Sequence, residues 1–229
     1  MRVRNGVTVW EPDNSGSPFR FGEHVAVSGW RRLWTLGDPA ILGRPLLGFF
    51  CSSRCPGDVI LRTYDLARSL RDAGVPVIGG FHSPMEQECL DLLLRGTQPI
   101  VVCPARSIER MRVPAAWRKP LDHGRLLVLS PFPAQHRRPT VPLAEKRNRL
   151  VAEIATTVFV AHAAPKSKTH AFCRQLLAEG RAVWTFDTPT AEPMQALGAR
   201  CFPSVQAVAD ALRGQADASV EGTGKGRGT

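Results

Sequence analysis

A chain of 229 residues with 43% hydrophobic content is long enough to bury one good-sized core, and it carries a formal net charge of +10. No apolar run approaches the ~20 residues of a membrane span, and the basic Met1–Asn5 leads into no apolar signal core, so a cytoplasmic protein without a membrane anchor is expected. The six cysteines (Cys51, Cys55, Cys89, Cys103, Cys173 and Cys201) form no Cys-x-x-Cys pair, and no histidine lies near the Cys51/Cys55 loop. Buried reduced thiols fit that pattern better than disulfides or a zinc site, so neither metal nor cofactor is expected.

The N-terminal stretch 1–32 is rich in turn residues, with short strands expected at 7–10 and 25–27 around a loop at 12–18. From Leu46 the pattern becomes regular. Short apolar runs at 46–51, 75–78, 100–102, 126–129, 158–161 and 182–186 read as strands buried on both faces. Helical stretches alternate with them at 59–73, 84–95, 143–155 and 169–179; in the first, Ile60, Tyr64, Ala67 and Leu70 keep one face apolar. A last unit, 200–202 followed by 205–212, closes the domain. Alternation of this kind implies an α/β, Rossmann-like, doubly wound and mostly parallel sheet. The division expected is an N-terminal extension (1–32), a Rossmann-like domain (33–213) and a disordered tail (214–229).

The charge is uneven. Residues 106–149 hold eleven Lys/Arg against Glu109, Asp122 and Glu145, an excess of eight positive charges. Such a segment draws polyanions by counterion release, or is simply a solvated basic face.

Ligands of doubly wound sheets sit beyond the C-terminal ends of the strands. Four loops fall there. Ser52-Ser53-Arg54 follows the first sheet strand. Gly79-Gly80-Phe81-His82-Ser83 follows the second: the glycines permit a sharp turn and close approach, Ser83 is the expected N-cap, Pro84 the first helical residue, and Glu86 the closing member of a capping box. The N–H groups of such a helix start attract phosphate, although ordinary strand-to-helix turns look alike. Glu145-Lys146-Arg147-Asn148-Arg149 falls on the first turns of a helix, and Pro165-Lys166-Ser167-Lys168-Thr169 precedes another with Ser167 as N-cap.

Taken in order, these loops resemble the DNA-processing protein A (Smf) family. That family carries Gly-Ser-Arg where this chain has Ser52-Ser53-Arg54, and a Ser-Gly-rich loop at the Gly79-Gly80 turn. It also has Arg-Asn-Arg opening a helix, matched by Arg147-Asn148-Arg149, a strand leading to Ser-Gly near Ser167, and a Gly-Arg matched by Gly180-Arg181. Leu33–Leu42 is similar to the family's approach to its first strand, so the likeness spans roughly 33–203. The second loop departs from the pattern: where the family continues Ala-Arg-Gly-Ile-Asp, this chain has Phe81 through Glu86 without an arginine, and Lys168 replaces the glycine after the fourth-loop serine. With only the expected tail after Arg213, the family's C-terminal winged-helix-like domain is not expected here. The resemblance implies a phosphate-binding loop, single-stranded DNA binding in a basic pocket, subunit pairing and no catalysis.

The expected binding residues are therefore Ser52, Ser53, Arg54, Gly79, Gly80, His82, Ser83, Arg147, Asn148, Arg149, Lys166, Ser167 and Lys168. Several have plain alternatives: helix-surface roles for the arginines, packing beside the helix start for His82, solvation for the lysines. Two further readings stay open, a nucleotide-processing enzyme and a small-nucleotide sensor. No Walker loop, catalytic triad order or metal-ligand spacing supports the enzyme. Glu86, Glu145, Glu153 and Asp187 are the carboxylates nearest the expected rim.

Overall fold

The computed structural model describes residues 2–4, 6–11, 19–21, 25–27, 29–202, 204–210 and 212. The expected loop at 12–18 and tail at 214–229 lie outside them. The architecture is α/β and mostly parallel. Six strands precede the first long helix: β1 (Arg2–Arg4), β2 (Val7–Trp10), β3 (Phe19–Phe21), β4 (Val25–Val27), β5 (Leu33–Gly37) and β6 (Leu47–Phe50). Then follow α1 (Gly57–Asp72), β7 (Val77–Gly79), α2 (Pro84–Leu94), β8 (Ile100–Val102), α3 (Ala115–Asp122), β9 (Leu126–Ser130) and α4 (Val141–Ile154). The chain continues through β10 (Thr157–Val160), α5 (Lys168–Ala178), β11 (Val183–Thr185), α6 (Glu192–Gln195) and β12 (Arg200–Cys201), with helix again at 205–210.

The strand order is β1-β2-β5-β9-β8-β7-β6-β10-β11-β12, while β3 and β4 form a separate antiparallel pair. From β9 to β12 every pairing is parallel. β5 runs antiparallel to β9, and β2 and β1 continue the antiparallel edge, so part of the N-terminal extension is built into the main sheet. After β6 the chain winds outward through β7, β8 and β9. After α4 it returns to the other side of β6 through β10, β11 and β12. The winding reverses between β6 and β10, the position at which α/β sheets open a crevice for ligands.

Period-2 alternation sends successive strand residues to opposite faces. Leu47, Phe49 and Cys51 join α1 and α2 on one face, with Leu66, Leu70, Cys89 and Leu93 fully or almost fully buried there. Leu46 and Phe50 join α4 and α5 on the other, with Leu150, Val151, Cys173 and Leu176. Gly48 is required by this second layer, because a Cβ there would lie 2.9 Å from Ala155 Cβ. The end of α4 is tied down by Arg181, whose Nη2 donates to the carbonyls of Ala152 (2.6 Å) and Ala155, satisfying acceptors that a helix terminus leaves open.

Candidate functional site: the C-terminal rim of the sheet

At the end of β7 the sequence folds locally as its cap chemistry dictates. Ser83 is the N-cap of α2, Glu86 N donates to Ser83 Oγ at 3.3 Å, and Glu86 Oε2 accepts from Ser83 N at 3.0 Å, completing the capping box with Pro84 in the first turn. Glu86 does more than cap. Its Oε2 also accepts from His82 N (3.0 Å) and its Oε1 from Cys51 N (3.0 Å), so one buried carboxylate ties the end of β6 to the loop after β7. The N–H groups of His82, Ser83 and Glu86, expected to face a phosphate, are thus already bonded inside the loop.

The same reversal applies to Gly80. A Cβ at this position would fall 1.5 Å from Arg147 Nη1. The close approach that glycine permits is taken by the Arg147 guanidinium. Arg147 is 5% exposed, donates from Nη1 to the Cys103 carbonyl (2.8 Å) and from Nε to Asn148 Oδ1 (2.8 Å). Burial lowers its pKa from the usual arginine value, while the negative charge of Glu86 pulls the other way. Desolvation pushes the Cys103 thiol up to about 12, so it stays neutral beside the guanidinium. Arg147 is a brace clamping the loops after β7 and β8 to α4. Phe81 completes the clamp: with φ 45° it occupies left-handed backbone rare for a non-glycine residue, and its buried ring stacks on Phe49 at 6.3 Å.

The other expected residues divide between two places. In a parallel sheet, helices that follow strands begin at the strands' C-terminal edge, so the first turns of α4 and α5 lie on the rim. Between them runs a groove of about 600 Å³ lined by Asn148, Arg149, Lys168, Lys146, Thr169 and Phe172 among others. Lys168 Nζ reaches across it to Glu145 Oε1 (2.9 Å), and Arg149 Nη1 pairs with Glu179 Oε1 (2.9 Å). Ser167 caps α5 by accepting from His170 N (3.1 Å), and Lys166, exposed and with φ 62°, turns the chain into it. The second place is the switch point. Ser53 and Arg54 are exposed there, and Ser52 is buried with its N–H donated to the His162 carbonyl (3.0 Å). His82 is exposed and Gly79 is buried in β7.

Lys146 and Thr169, inside the expected loops but outside the expected binding residues, also line the groove, together with Phe172, which the sequence did not point to. His162 was missed as well. It lies two residues beyond the end of β10, is 9% exposed, and its Nδ1 lacks a hydrogen-bond partner, as does Ser52 Oγ beside it. Burial, which favours the neutral ring, lowers the imidazole pKa, while Asp58 raises it. A histidine closing an apolar strand was the only signal available.

The basic segment continues the rim. Trp30, Arg31, Phe132, His136, Lys146 and Arg149 line a hollow of about 530 Å³. Arg137, Arg138, His136 and Lys146 line another of about 560 Å³, and Arg106, Arg110 and Arg137 a third of about 370 Å³. Shared lining residues link these hollows into one series: Arg137 joins the last two, His136 and Lys146 the first two, and Lys146 and Arg149 lead on to the α4/α5 groove.

The four carboxylates expected nearest the rim each have a structural partner. Glu86 caps α2, Glu145 pairs with Lys168, Glu153 Oε2 accepts from Trp30 Nε1 (2.8 Å), and Asp187 Oδ1 accepts from Cys201 Sγ (3.6 Å). Among the described residues no group of three or more His, Cys, Asp or Glu side chains could hold a metal ion. No helix among them is long and apolar enough to cross a membrane.

The family model described as DNA recombination-mediator protein A matches residues 29–217. A search of curated proteins finds no match. Among solved structures, DNA processing protein A from Streptococcus pneumoniae superposes with a TM-score of 0.68 at 18% identity, over 88% of this chain and 73% of that one. DNA processing protein A from Helicobacter pylori, described for its unique single-stranded DNA binding mode, superposes with a TM-score of 0.69 at 17% identity, over 91% and 96%.

Proposed function

Because the chain belongs to the DNA recombination-mediator protein A family, we propose that it binds single-stranded DNA, without turning it over, along the cationic rim at the C-terminal edge of its sheet. The observation that carries this reading is the linked series of grooves from Arg106 and Arg137, past Lys146 and Arg149, to Lys168. Its cations suit a phosphate backbone. Trp30 and Phe172, both partly exposed, border the same hollows and offer faces on which bases can stack. The single-stranded DNA binding described for the Helicobacter pylori protein supports the reading. The partnering of Glu86, Glu145, Glu153 and Asp187 argues against a general acid or base among those four. Subunit pairing is carried forward from the family and is measured by light scattering of the protein with and without DNA.

The direct test is fluorescence anisotropy with a labelled oligo-dT. Arg149→Ala and Lys168→Ala should each weaken binding by about tenfold, the equivalent of roughly 1.4 kcal/mol for one lost charge-assisted contact. Unchanged affinity in both variants would sink the rim assignment. A second reading, a mononucleotide pocket, is favoured by the unpartnered His162 Nδ1 and Ser52 Oγ at the switch point. It predicts that a free deoxynucleotide competes as well as an oligonucleotide and that His162→Ala abolishes that competition. Incubation with nucleotides followed by mass spectrometry separates both from an enzyme, which alone would release free base or sugar phosphate.

A further inference from the structure

We propose that the hollow beside Trp30 is a base-binding subsite: it takes one unpaired nucleobase, stacked on the Trp30 indole, with Glu153 as the positioning residue that holds the ring. The subsite deepens the rim reading above and rests on it. Trp30 Nε1 donates to Glu153 Oε2 at 2.8 Å, which ties the segment after β4 to α4. β4 itself lies against α4, and Gly29, with φ 82°, turns the chain just before Trp30. The indole is half-buried. It packs against the core layer of α4 and α5, and it borders a hollow of about 530 Å³.

The lining of the hollow suits a nucleotide. Phe132 and Leu143, both buried, supply an apolar side, and Lys146 and Arg149 line the same space. A base against the indole thus lies among apolar groups, with cations at hand for its flanking phosphates. Glu153 engages the one hydrogen-bond donor of the indole, so Trp30 offers the base a π-face and no polar contact. Stacking of that kind is tolerant of base identity. It is intolerant of pairing: in a duplex each base face is covered by its neighbours, and exposing one costs unstacking and unpairing. The subsite therefore favours single strands over duplexes. The hydrogen bond is what makes the ring a platform. Without it the indole would rotate about its side-chain bonds, and each stacked base would bear the entropy of fixing it. Phe172 is placed differently: its ring tilts onto Phe50 with centroids 5.2 Å apart, so part of its surface is covered from within.

Anisotropy with three labelled probes tests the subsite on the full-length protein. One probe is oligo-dT. The second is a phosphodiester strand of the same length built of abasic sites, which keeps the charge and lacks the bases. The third is a blunt duplex of that length. The parent protein should bind oligo-dT more tightly than the abasic strand. Trp30→Leu keeps an apolar contact with the core and removes the aromatic face. It should weaken oligo-dT by about tenfold and leave the abasic strand and the duplex unchanged, while Trp30→Phe should recover much of the loss. Glu153→Ala should diminish the preference for oligo-dT over the abasic strand. Glu153→Gln, whose carbonyl oxygen still accepts from the indole, should keep it. The ratio of the two affinities is read for these variants, because loss of the carboxylate strengthens both probes alike. Trp30 is only half-buried, so its variants should fold, with circular dichroism as the check; the parent's own preference is read without any substitution. An equal loss on all three probes in Trp30→Leu, or no loss on any, overturns the subsite. A parent ratio retained in Glu153→Ala overturns the positioning role. A parent protein that binds oligo-dT and the abasic strand equally overturns the subsite and leaves the rim reading standing, whereas one that binds neither counts against the rim reading itself.

Discussion

Replacing Gly80 by valine inserts a side chain where the Arg147 guanidinium lies, 1.5 Å from the first added carbon. Overpacking of this kind costs about 1–3 kcal/mol, and for a protein of this size each kcal/mol lowers the melting temperature by roughly 2–4 °C. Arg147→Ala also destabilises: it leaves the Cys103 carbonyl without its donor, worth about 1–3 kcal/mol, and removes the positive charge beside buried Glu86. The two changes meet in one space, so they should not add. In Gly80→Val/Arg147→Ala the valine fills what the arginine vacated, and urea unfolding should return a loss smaller than the sum by about 0.5–3 kcal/mol. Strict additivity would refute the brace. His162 supplies a pH-dependent counterpart. Its folded-state pKa lies below the ordinary histidine value because of burial, so on acidification the unfolded chain takes up the proton first. Stability is intact above an unfolded value of about 6.5 and is lost as pH falls through the folded value. His162→Gln should therefore flatten the decline in stability between about pH 7 and pH 5. A slope equal to that of the parent protein would count against a buried neutral imidazole.

At the scale of elements, the two rim helices test whether their cations serve folding or binding. The Lys168–Glu145 pair is exposed on both sides, 68% and 55% for the two side chains, and pairs of that kind contribute about 0–1 kcal/mol. Lys168→Ala should leave the melting temperature nearly unchanged while lowering oligonucleotide affinity; a large fall in stability would make the lysine structural. The helices themselves were legible. α2 and α5 lie close to their expected spans because Ser83, Pro84, Glu86 and Ser167 are cap residues whose chemistry is local. α3 escaped notice because it is only eight residues long with Pro120 inside, and only Pro120 of its residues is buried. β5 was read only as an approach to the first strand, since its antiparallel pairing with β9 is a tertiary choice. The role of Arg147 was hidden for the same reason. An arginine in a charged helix turn looks solvent-facing until Gly80 and Glu86 from the turn after β7, and Cys103 from the loop after β8, surround it.

For the whole molecule, the distribution of charge decides how it meets DNA. The excess of positive charge in 106–149 is spread along linked grooves rather than gathered at one point, and the last two cations, Arg149 and Lys168, lie beside the rim helices. A strand held at several such points releases several counterions. With about four to six phosphates neutralised, log affinity for oligo-dT should fall against log salt with a slope of roughly −3 to −4. Length then becomes diagnostic. Arg137 and Arg138 line the middle hollow, away from the α4/α5 groove, so Arg137→Glu/Arg138→Glu should weaken a long oligonucleotide strongly, make its salt slope shallower, and leave a mononucleotide or very short oligonucleotide nearly unaffected. A single compact pocket would behave differently: reversal would weaken all lengths alike, and the salt slope of the parent would be shallow. Anisotropy titrations over a series of oligonucleotide lengths at several salt concentrations distinguish the two, and equal weakening at every length would exclude an extended track through the basic segment.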